Sequence, residues 1–273
     1  MVNHSFTTGS ITGRFYIGGL VGTSRGSVSK CYATGSVTGA GLTGGLVGSI
    51  YHGSLNMCYA IGCVEGRNND VGGLVGSNSN STVSESYALG SVTGYEKVGG
   101  LVGSNYDGLI TDCYATSGVT GSDYFGGLIG WNDSGSIISS TFWDIETSGL
   151  TQMCGRAISP CNDAYGITTK NMQDPYTFLK EGWDFVSKTT NGTDNIWRMC
   201  INGVDYPRLA WEFLPGDCAC PDGVALDDFS YFSSRFLETG CDTKNNCGLT
   251  DINHDHLVNL EDFIILCEQW LAE

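Results

Sequence analysis

A segment of twelve residues near the C-terminus has oxygen ligands at the spacing of a metal-binding loop. Positions 1, 3, 5, 9 and 12 of this segment are Asp251, Asn253, Asp255, Asn259 and Asp262, and the carbonyl of Leu257 falls at position 7. Calcium is a hard cation that takes about six to eight oxygen ligands, and loops with this spacing supply them. The spacing therefore predicts a Ca²⁺ site formed by these six residues. The alternative is an acidic surface turn in front of a helix.

The residues around this loop indicate how it is built. Phe263, Leu266 and Trp270 follow it at helical spacing, so the sequence predicts a helix directly after the last ligand. Position 6, where glycine normally makes the sharp turn, is His256. We expect this histidine to strain the loop and weaken calcium binding.

A degenerate copy of the same pattern lies 34 residues earlier, because Val224 to Phe229 aligns with Val258 to Phe263. The equivalent ligand positions of this first loop are Asp217, Ala219, Pro221, Ala225 and Asp228. Only its first and last positions keep a carboxylate. We expect that this loop does not hold calcium well.

Two such loop–helix copies resemble a dockerin type I domain. The resemblance implies EF-hand-type calcium loops, an α-helical pair packed antiparallel and ordered by Ca²⁺, and docking onto a cohesin-like scaffold or another cell-surface component. Contact specificity in dockerins involves loop positions 10 and 11, which are Leu226-Asp227 and Leu260-Glu261 in this chain. The Ser-Thr pair of the clostridial type is missing at both places.

The first half of the chain is organised by a repeated phrase, Gly-Gly-Leu-Val-Gly, whose fifth copy reads Gly-Gly-Leu-Ile-Gly. The copies begin at Gly18, Gly44, Gly72, Gly99 and Gly126, separated by 26, 28, 27 and 27 residues. Short apolar stretches alternate with turn-forming residues throughout, which favours strands over helices. The repeat predicts a mainly β fold, a parallel β-solenoid of about five 27-residue coils with two or three short strands each.

Equivalent residues of stacked coils form ladders in such a fold. An aromatic ladder is predicted from Phe6, Tyr32, Tyr59, Tyr87, Tyr114 and Phe142. We interpret it as a packing element, with a sugar-stacking face as the alternative. The glycines are expected at corners that need positive φ, or where coils approach too closely for a Cβ atom.

These phrases resemble the GLUG motif of bacterial surface and secreted proteins. The resemblance implies non-catalytic extracellular material. Some members of that family are metallopeptidases with a His-Glu-x-x-His helix, but His4, His52, His254 and His256 do not form that arrangement here. Peptidase activity is therefore not inferred, and the chain is predicted not to be an enzyme.

One pair of carboxylates could still act on polysaccharides. Glu96 and Asp123 share a repeat column with Asn69, and Lys97 and Asp70 occupy the next column. Polysaccharide-cleaving enzymes need clustered carboxylates of this kind. Polar residues are expected in these variable loops anyway, so no catalytic residue is predicted.

The whole sequence suggests three domains, which are a solenoid (1–149), an aromatic-rich capping segment of α+β type (150–214) and the dockerin-like domain (215–273). For the middle segment, an aromatic carbohydrate site is the alternative to a capping role. Cys154 with Cys161, and Cys241 with Cys247, are candidate disulfides of an extracellular protein; free thiols in a reducing compartment are the alternative. Small buried side chains explain the column of Cys31, Cys58 and Cys113 without redox chemistry.

The charge of the chain limits its partners. The formal net charge is −16, which argues against nucleic acid and anionic lipid. No run reaches the roughly 18 apolar residues of a membrane span. Met1 is not followed by a signal peptide, so we expect an export signal upstream and a location outside the cell or on its surface.

Two functions fit the sequence best. The first is a structural, adhesive or binding module, with carbohydrate among its potential ligands, tethered through a calcium-dependent domain. The second is the accessory C-terminal region of a secreted polysaccharide-degrading enzyme.

Overall fold

The computed structural model describes residues 1–186, 191, 192, 194–219, 224–241 and 246–271. The chain divides into two compact units, Met1–Met172 and Gln173–Glu273. The three domains predicted from the sequence, with boundaries at 149/150 and 214/215, stay a prediction. Among the described residues, no helix is long and apolar enough to cross a membrane.

The first unit begins with three coils of five short strands each. Their strands are β1 (Val2–Asn3), β2 (Phe6–Thr7), β3 (Ile11–Thr12), β4 (Phe15–Gly18), β5 (Val21–Ser24), β6 (Ser27–Ser29), β7 (Tyr32–Ala33), β8 (Val37–Gly39), β9 (Gly41–Gly44), β10 (Val47–Tyr51), β11 (Ser54–Asn56), β12 (Tyr59–Ala60), β13 (Val64–Gly66), β14 (Asn69–Gly72) and β15 (Val75–Ser79).

Two further coils and a partial sixth follow. They contain β16 (Thr82–Ser84), β17 (Tyr87–Ala88), β18 (Val92–Thr93), β19 (Glu96–Gly99), β20 (Val102–Tyr106), β21 (Leu109–Thr111), β22 (Tyr114–Ala115), β23 (Val119–Thr120), β24 (Asp123–Gly126), β25 (Ile129–Asn132), β26 (Ile137–Ser139), β27 (Phe142–Asp144), α1 (Ile145–Ser148), β28 (Cys154–Ala157), β29 (Gly166–Ile167) and α2 (Thr169–Met172).

Strands at equivalent positions of successive coils pair in parallel and form five sheets. Sheet 1 is β1-β6-β11-β16-β21-β26, sheet 2 is β2-β7-β12-β17-β22-β27-β29, sheet 3 is β3-β8-β13-β18-β23, sheet 4 is β4-β9-β14-β19-β24 and sheet 5 is β5-β10-β15-β20-β25-β28. The parallel β-solenoid predicted from the repeat is thus confirmed. Each of the five complete coils has five strands, so the prediction of two or three was wrong.

The solenoid has about six turns, one more than the sequence predicts. The last turn lacks the glycine phrase, but Leu128 N donates to Met153 O, as Leu101 N donates to Leu128 O in the preceding turn. The positions of Leu, Val and the last Gly in the phrase are taken in this turn by Met153, Cys154 and Gly155. Parallel pairing needs only backbone groups in register, so the turn forms without the consensus residues.

Small polar side chains close the corner between sheets 1 and 2. The amide N of Cys58 donates to Ser86 Oγ at 3.0 Å, and Ser86 Oγ donates to Ser84 O at 2.6 Å. The Cys58 thiol likewise donates to Asn56 O at 3.2 Å. The cysteine column therefore bonds neighbouring coils together, which explains why Ser86 and Thr141 replace cysteine in it.

The aromatic ladder stacks face to face. Phe6, Tyr32, Tyr59, Tyr87 and Tyr114 have successive ring centroids 4.9–5.0 Å apart, with interplanar angles of 4–11°. Tyr87 and Tyr114 are 1% and 0% exposed. Rings this buried cannot stack on a ligand, so the ladder is a packing element rather than a continuous sugar-stacking face.

The described residues of the second unit form short helices and one two-stranded antiparallel sheet. Its elements are α3 (Pro175–Leu179), β30 (Trp197–Arg198), β31 (Arg208–Leu209), α4 (Leu226–Arg235), α5 (Asn246–Leu249) and α6 (Leu260–Trp270). Trp183 stacks on Trp197 at a ring distance of 4.5 Å and contacts the tilted ring of Phe178 at 4.7 Å. Helices α4 and α6 pack through Phe229, Phe232 and Phe263.

Candidate functional site

Three carboxylates converge in front of α6. Oxygen atoms of Asp251, Asp255 and Asp262 all lie within 4.8 Å of one another. Asp251 and Asp262 are buried, and Asp255 is exposed. Like charges this close repel each other unless a cation neutralises them. The structure thus brings together three of the six residues that the sequence predicts as calcium ligands.

The other three predicted ligands belong to the same hydrogen-bonded loop. Asn253 Nδ2 and Asn259 Nδ2 donate to Asp255 Oδ2 at 3.1 and 3.3 Å. Leu257 N donates to Asp255 Oδ1 at 3.0 Å. Asn259 Oδ1 accepts from Glu261 N at 2.6 Å and caps α6. Position 9 of calcium loops often ligates through water, and a capping Asn259 is compatible with that role.

Asp262 closes the loop onto the first turn of α6. Its Oδ1 accepts from Ile252 N at 2.6 Å and from Asn253 N at 3.0 Å, and its Oδ2 accepts from Asn259 N at 2.9 Å. Three backbone N–H donors therefore hold this carboxylate in one orientation. Asp262 is therefore a structural residue of the loop as well as a candidate ligand.

The first loop repeats this arrangement around Asp228. Asp228 Oδ1 accepts from Cys218 N and Ala219 N, both at 2.6 Å, and Oδ2 accepts from Ala225 N at 2.8 Å. Ala219 and Ala225 bring no side-chain oxygen to this loop, and Pro221 lies outside the described residues. That the first loop holds calcium poorly stays a prediction.

An arginine lies against the first loop. Arg198 Nη2 is 3.6 Å from Asp217 Oδ1, and both side chains are buried. Burial lowers the pKa of the Arg198 guanidinium, and the charge of Asp217 opposes this effect. Asp217 occupies position 1 of the first loop, the position that Asp251 occupies in the second. In the first loop, a side chain of the protein therefore supplies positive charge beside this aspartate. No spacing in the sequence links Arg198 to this loop.

The carboxylates considered for catalysis are neighbours on sheet 4. Asn69, Glu96 and Asp123 pair in register on β14, β19 and β24. In the adjacent column, Lys97 Nζ lies 4.0 Å from Asp70 Oδ1 and donates to Tyr106 Oη at 3.1 Å. The structure therefore places these residues side by side, as the repeat columns predict.

Comparison with known proteins identifies the repeated phrase. Three segments of the solenoid match the GLUG motif. They are residues 13–38, 67–93 and 94–120. Each segment contains one glycine phrase, so three of the five phrases lie in segments that match the GLUG motif. No curated protein and no solved structure matched the chain.

The GLUG matches lie wholly within the first unit. The resemblance of the C-terminal segment to dockerins therefore stays a prediction.

Proposed function

We propose that this chain is a non-catalytic extracellular binding or adhesive module, whose C-terminal unit binds Ca²⁺ in an EF-hand-type, dockerin-like loop. The convergence of Asp251, Asp255 and Asp262 within 4.8 Å carries this proposal. A calcium ion would neutralise these carboxylates and take further oxygens from Asn253, Asn259 and the carbonyl of Leu257.

Calcium would have a structural role here. It would hold the loop in front of α6 and thereby stabilise the unit that contains α4 and α6. An ion that binds only the folded state, at about 100 times its Kd, adds about 2.7 kcal/mol to the free energy of unfolding.

Two disulfides support a location outside the cell. The structure pairs Cys154 with Cys161 and Cys241 with Cys247, the two pairs that the sequence suggests. Disulfides persist mainly in oxidising compartments. The second pair lies next to the calcium loop, because Gly240 N and Cys241 N donate to His256 O at 3.0 and 3.3 Å.

A second candidate function is the accessory region of a polysaccharide-degrading enzyme that docks onto a scaffold. Its support is the exposure of Leu226 and Leu260, which are 73% and 62% exposed at equivalent positions of the two copies. Exposed apolar side chains on a repeated unit suit a docking surface. A glycosidase or lyase domain encoded upstream would favour this candidate, and further repeats would favour the adhesive module.

Calorimetric titration with CaCl₂ tests the calcium site. We expect Asp255→Asn to weaken calcium binding by roughly tenfold or more, because it removes a ligand charge and keeps the side-chain shape. Asp227→Asn makes the same change at an exposed aspartate of α4, which belongs to the first loop and lies outside the Asp251–Asp262 loop, and this variant should bind like the parent. Absence of binding by the parent, or equal binding by the two variants, would contradict the proposal.

A further inference from the structure

A surface groove runs between sheets 4 and 5 of the solenoid. It opens into a cavity of about 440 Å³. The lining residues are Tyr16, Thr23, Arg25, Leu42, Ser49, Tyr51, Ser77 and Ser79. None of them is acidic and one is an arginine, although the whole chain carries a net charge of −16. The cavity therefore differs in charge from the chain as a whole.

Hydroxyl groups form the floor of the groove. Thr23, Ser49 and Ser77 pair in register on β5, β10 and β15, so their side chains share one face of sheet 5. Ser49 and Ser77 are 8% and 4% exposed. Within the described part of the chain, these three hydroxyls make no side-chain hydrogen bond. They remain able to donate to and accept from a bound ligand.

Aromatic rings and a cation flank this floor. Tyr16 and Tyr51 are 51% and 40% exposed, and Tyr16 has a left-handed backbone with φ of 55°. The Arg25 guanidinium lies 5.7 Å from the centroid of the Tyr51 ring. Among the described residues, Arg25 has no carboxylate partner. A guanidinium binds a carboxylate through two parallel hydrogen bonds, and an exposed ring offers an apolar face.

The same columns continue over the next coils with further aromatic and cationic side chains, of which Lys97 faces the Asp70 carboxylate at 4.0 Å. Ser77 is followed in register by Ser104, Trp131 and Arg156. Lys97 Nζ and Arg156 Cζ lie 5.3 and 5.1 Å from the Trp131 ring centroid. The indole Nε1 of Trp131 is buried and has no hydrogen-bond partner among the described residues. Aromatic and cationic groups therefore recur in the columns that continue beyond the cavity, which suits an extended ligand.

We propose that this groove binds a polysaccharide that contains uronic acids. Sugar rings would stack on Tyr16 and Tyr51, a sugar carboxylate would pair with Arg25, and sugar hydroxyls would bond Thr23, Ser49 and Ser77. The cavity volume lies within the range of about 300–1,000 Å³ that is usual for ligand sites. A neutral sugar would leave Arg25 without a negatively charged partner, so charge favours the carboxylated class.

This inference deepens the proposed function, because it names a ligand class for the binding module. It rests on that function for the extracellular location. The groove lies in the first unit and calcium in the second, so the two sites can fail independently in experiments.

Binding to purified polymers tests the groove. The whole chain would be titrated with polygalacturonate, alginate and hyaluronate, and with methyl-esterified polygalacturonate and dextran as uncharged polymers. Each titration would be run with calcium and with EDTA. We expect at least one acidic polymer to bind in both conditions, and the uncharged polymers to bind at least about tenfold more weakly.

Variants locate the site. Arg25→Ala and the double variant Tyr16→Ala/Tyr51→Ala should each weaken binding about tenfold or more. Arg14→Ala and Tyr95→Ala are the matched controls. Arg14 lies 5.8 Å over the Phe15 ring, Tyr95 is 60% exposed, and neither lines the cavity. All these side chains are exposed, and thermal unfolding would check that each variant folds like the parent.

The proposal is wrong if none of the three acidic polymers binds, if uncharged polymers bind equally well, or if Arg25→Ala binds like Arg14→Ala. If a polymer binds with calcium but not in EDTA, the proposal that it binds in the groove is also wrong, because binding would then depend on calcium. The titration with CaCl₂ tests the calcium site separately. If one of the two proposals fails, the other can therefore still be tested.

Discussion

His256 has a left-handed backbone at the position where calcium loops usually have glycine. Its φ is 73°, and its carbonyl accepts from Gly240 N and Cys241 N. The ring nitrogen Nδ1 also bonds the Cys241 carbonyl. A Cβ atom in this left-handed region of φ and ψ costs about 1 kcal/mol or more.

We predict that His256→Gly is more stable than His256→Ala by about 1 kcal/mol in saturating calcium. Both variants lose the imidazole ring and its contact, so the difference between them measures the strain of a Cβ atom at positive φ. Thermal unfolding of the second unit gives the comparison. Equal midpoints for the two variants would show that the loop adapts without strain.

Asp70 is a buried carboxylate on β14 of sheet 4, and its backbone has a positive φ of 61°. Burial raises its pKa above the ordinary value of 3.8, and the nearby charge of Lys97 only partly opposes this shift. A carboxyl group whose pKa is raised by folding favours the folded state while it is protonated at low pH. This contribution to the free energy of unfolding is lost as the pH rises through the pKa of the folded state. Ionised Asp70 therefore lowers the stability of the solenoid at neutral pH.

We predict that Asp70→Asn raises the thermal midpoint of the solenoid at pH 7, and that this gain disappears below the ordinary aspartate pKa of 3.8. Asp107→Asn is the control, because Asp107 also has positive φ, 48°, but is exposed. Asparagine tolerates this backbone as well as aspartate does. An identical pH profile for both variants would contradict the role of burial.

The glycine phrase acts through close contact between coils. Among the described glycines, those of the five phrases do not have positive φ, whereas Tyr16, Leu42, Asp70, Lys97 and Tyr124 do. A Cβ atom on Gly103 would lie 2.5 Å from the backbone of Asp70, and one on Gly130 would lie 2.2 Å from that of Lys97. Of the two alternatives predicted for the glycines, positive-φ corners or close approach of coils, the phrase glycines follow the second.

We predict that Gly73→Ala destabilises the solenoid by about 3 kcal/mol or more. A Cβ atom there would lie 2.1 Å from the carbonyl oxygen of Gly100 in the next coil, and backbone cannot rotate away. Gly9→Ala is the control, since nothing lies within 4 Å of its added Cβ. Chemical denaturation would measure both, and a similar small effect of the two substitutions would contradict this account.

The two compact units should respond differently to the removal of calcium. The proposed ligands all lie in the second unit, whereas the solenoid is held by parallel ladders and a buried apolar core. We predict two calorimetric transitions, of which only that of the second unit moves to lower temperature in EDTA, because the ion binds the folded loop. The Asp255→Asn variant should show a smaller shift. A single transition that chelation leaves unchanged would contradict this prediction.

The sequence by itself determined the repeat, its register and the composition of the ladders. Identical phrases at nearly constant spacing stack in only one register, which is why Tyr59 pairs with Tyr87 and Glu96 with Asp123 as predicted. The candidate calcium ligands could also be predicted from the sequence, because they lie within 12 consecutive residues and local chain geometry brings them together.

Only the tertiary structure decided the five strands of each coil, the sixth turn, the placement of Arg198 against Asp217, and the groove that contains Tyr16, Arg25 and Tyr51. These features depend on contacts between residues that share no phrase or spacing. Backbone pairing extends the solenoid past its last motif because hydrogen bonds in a parallel ladder require register and not particular side chains.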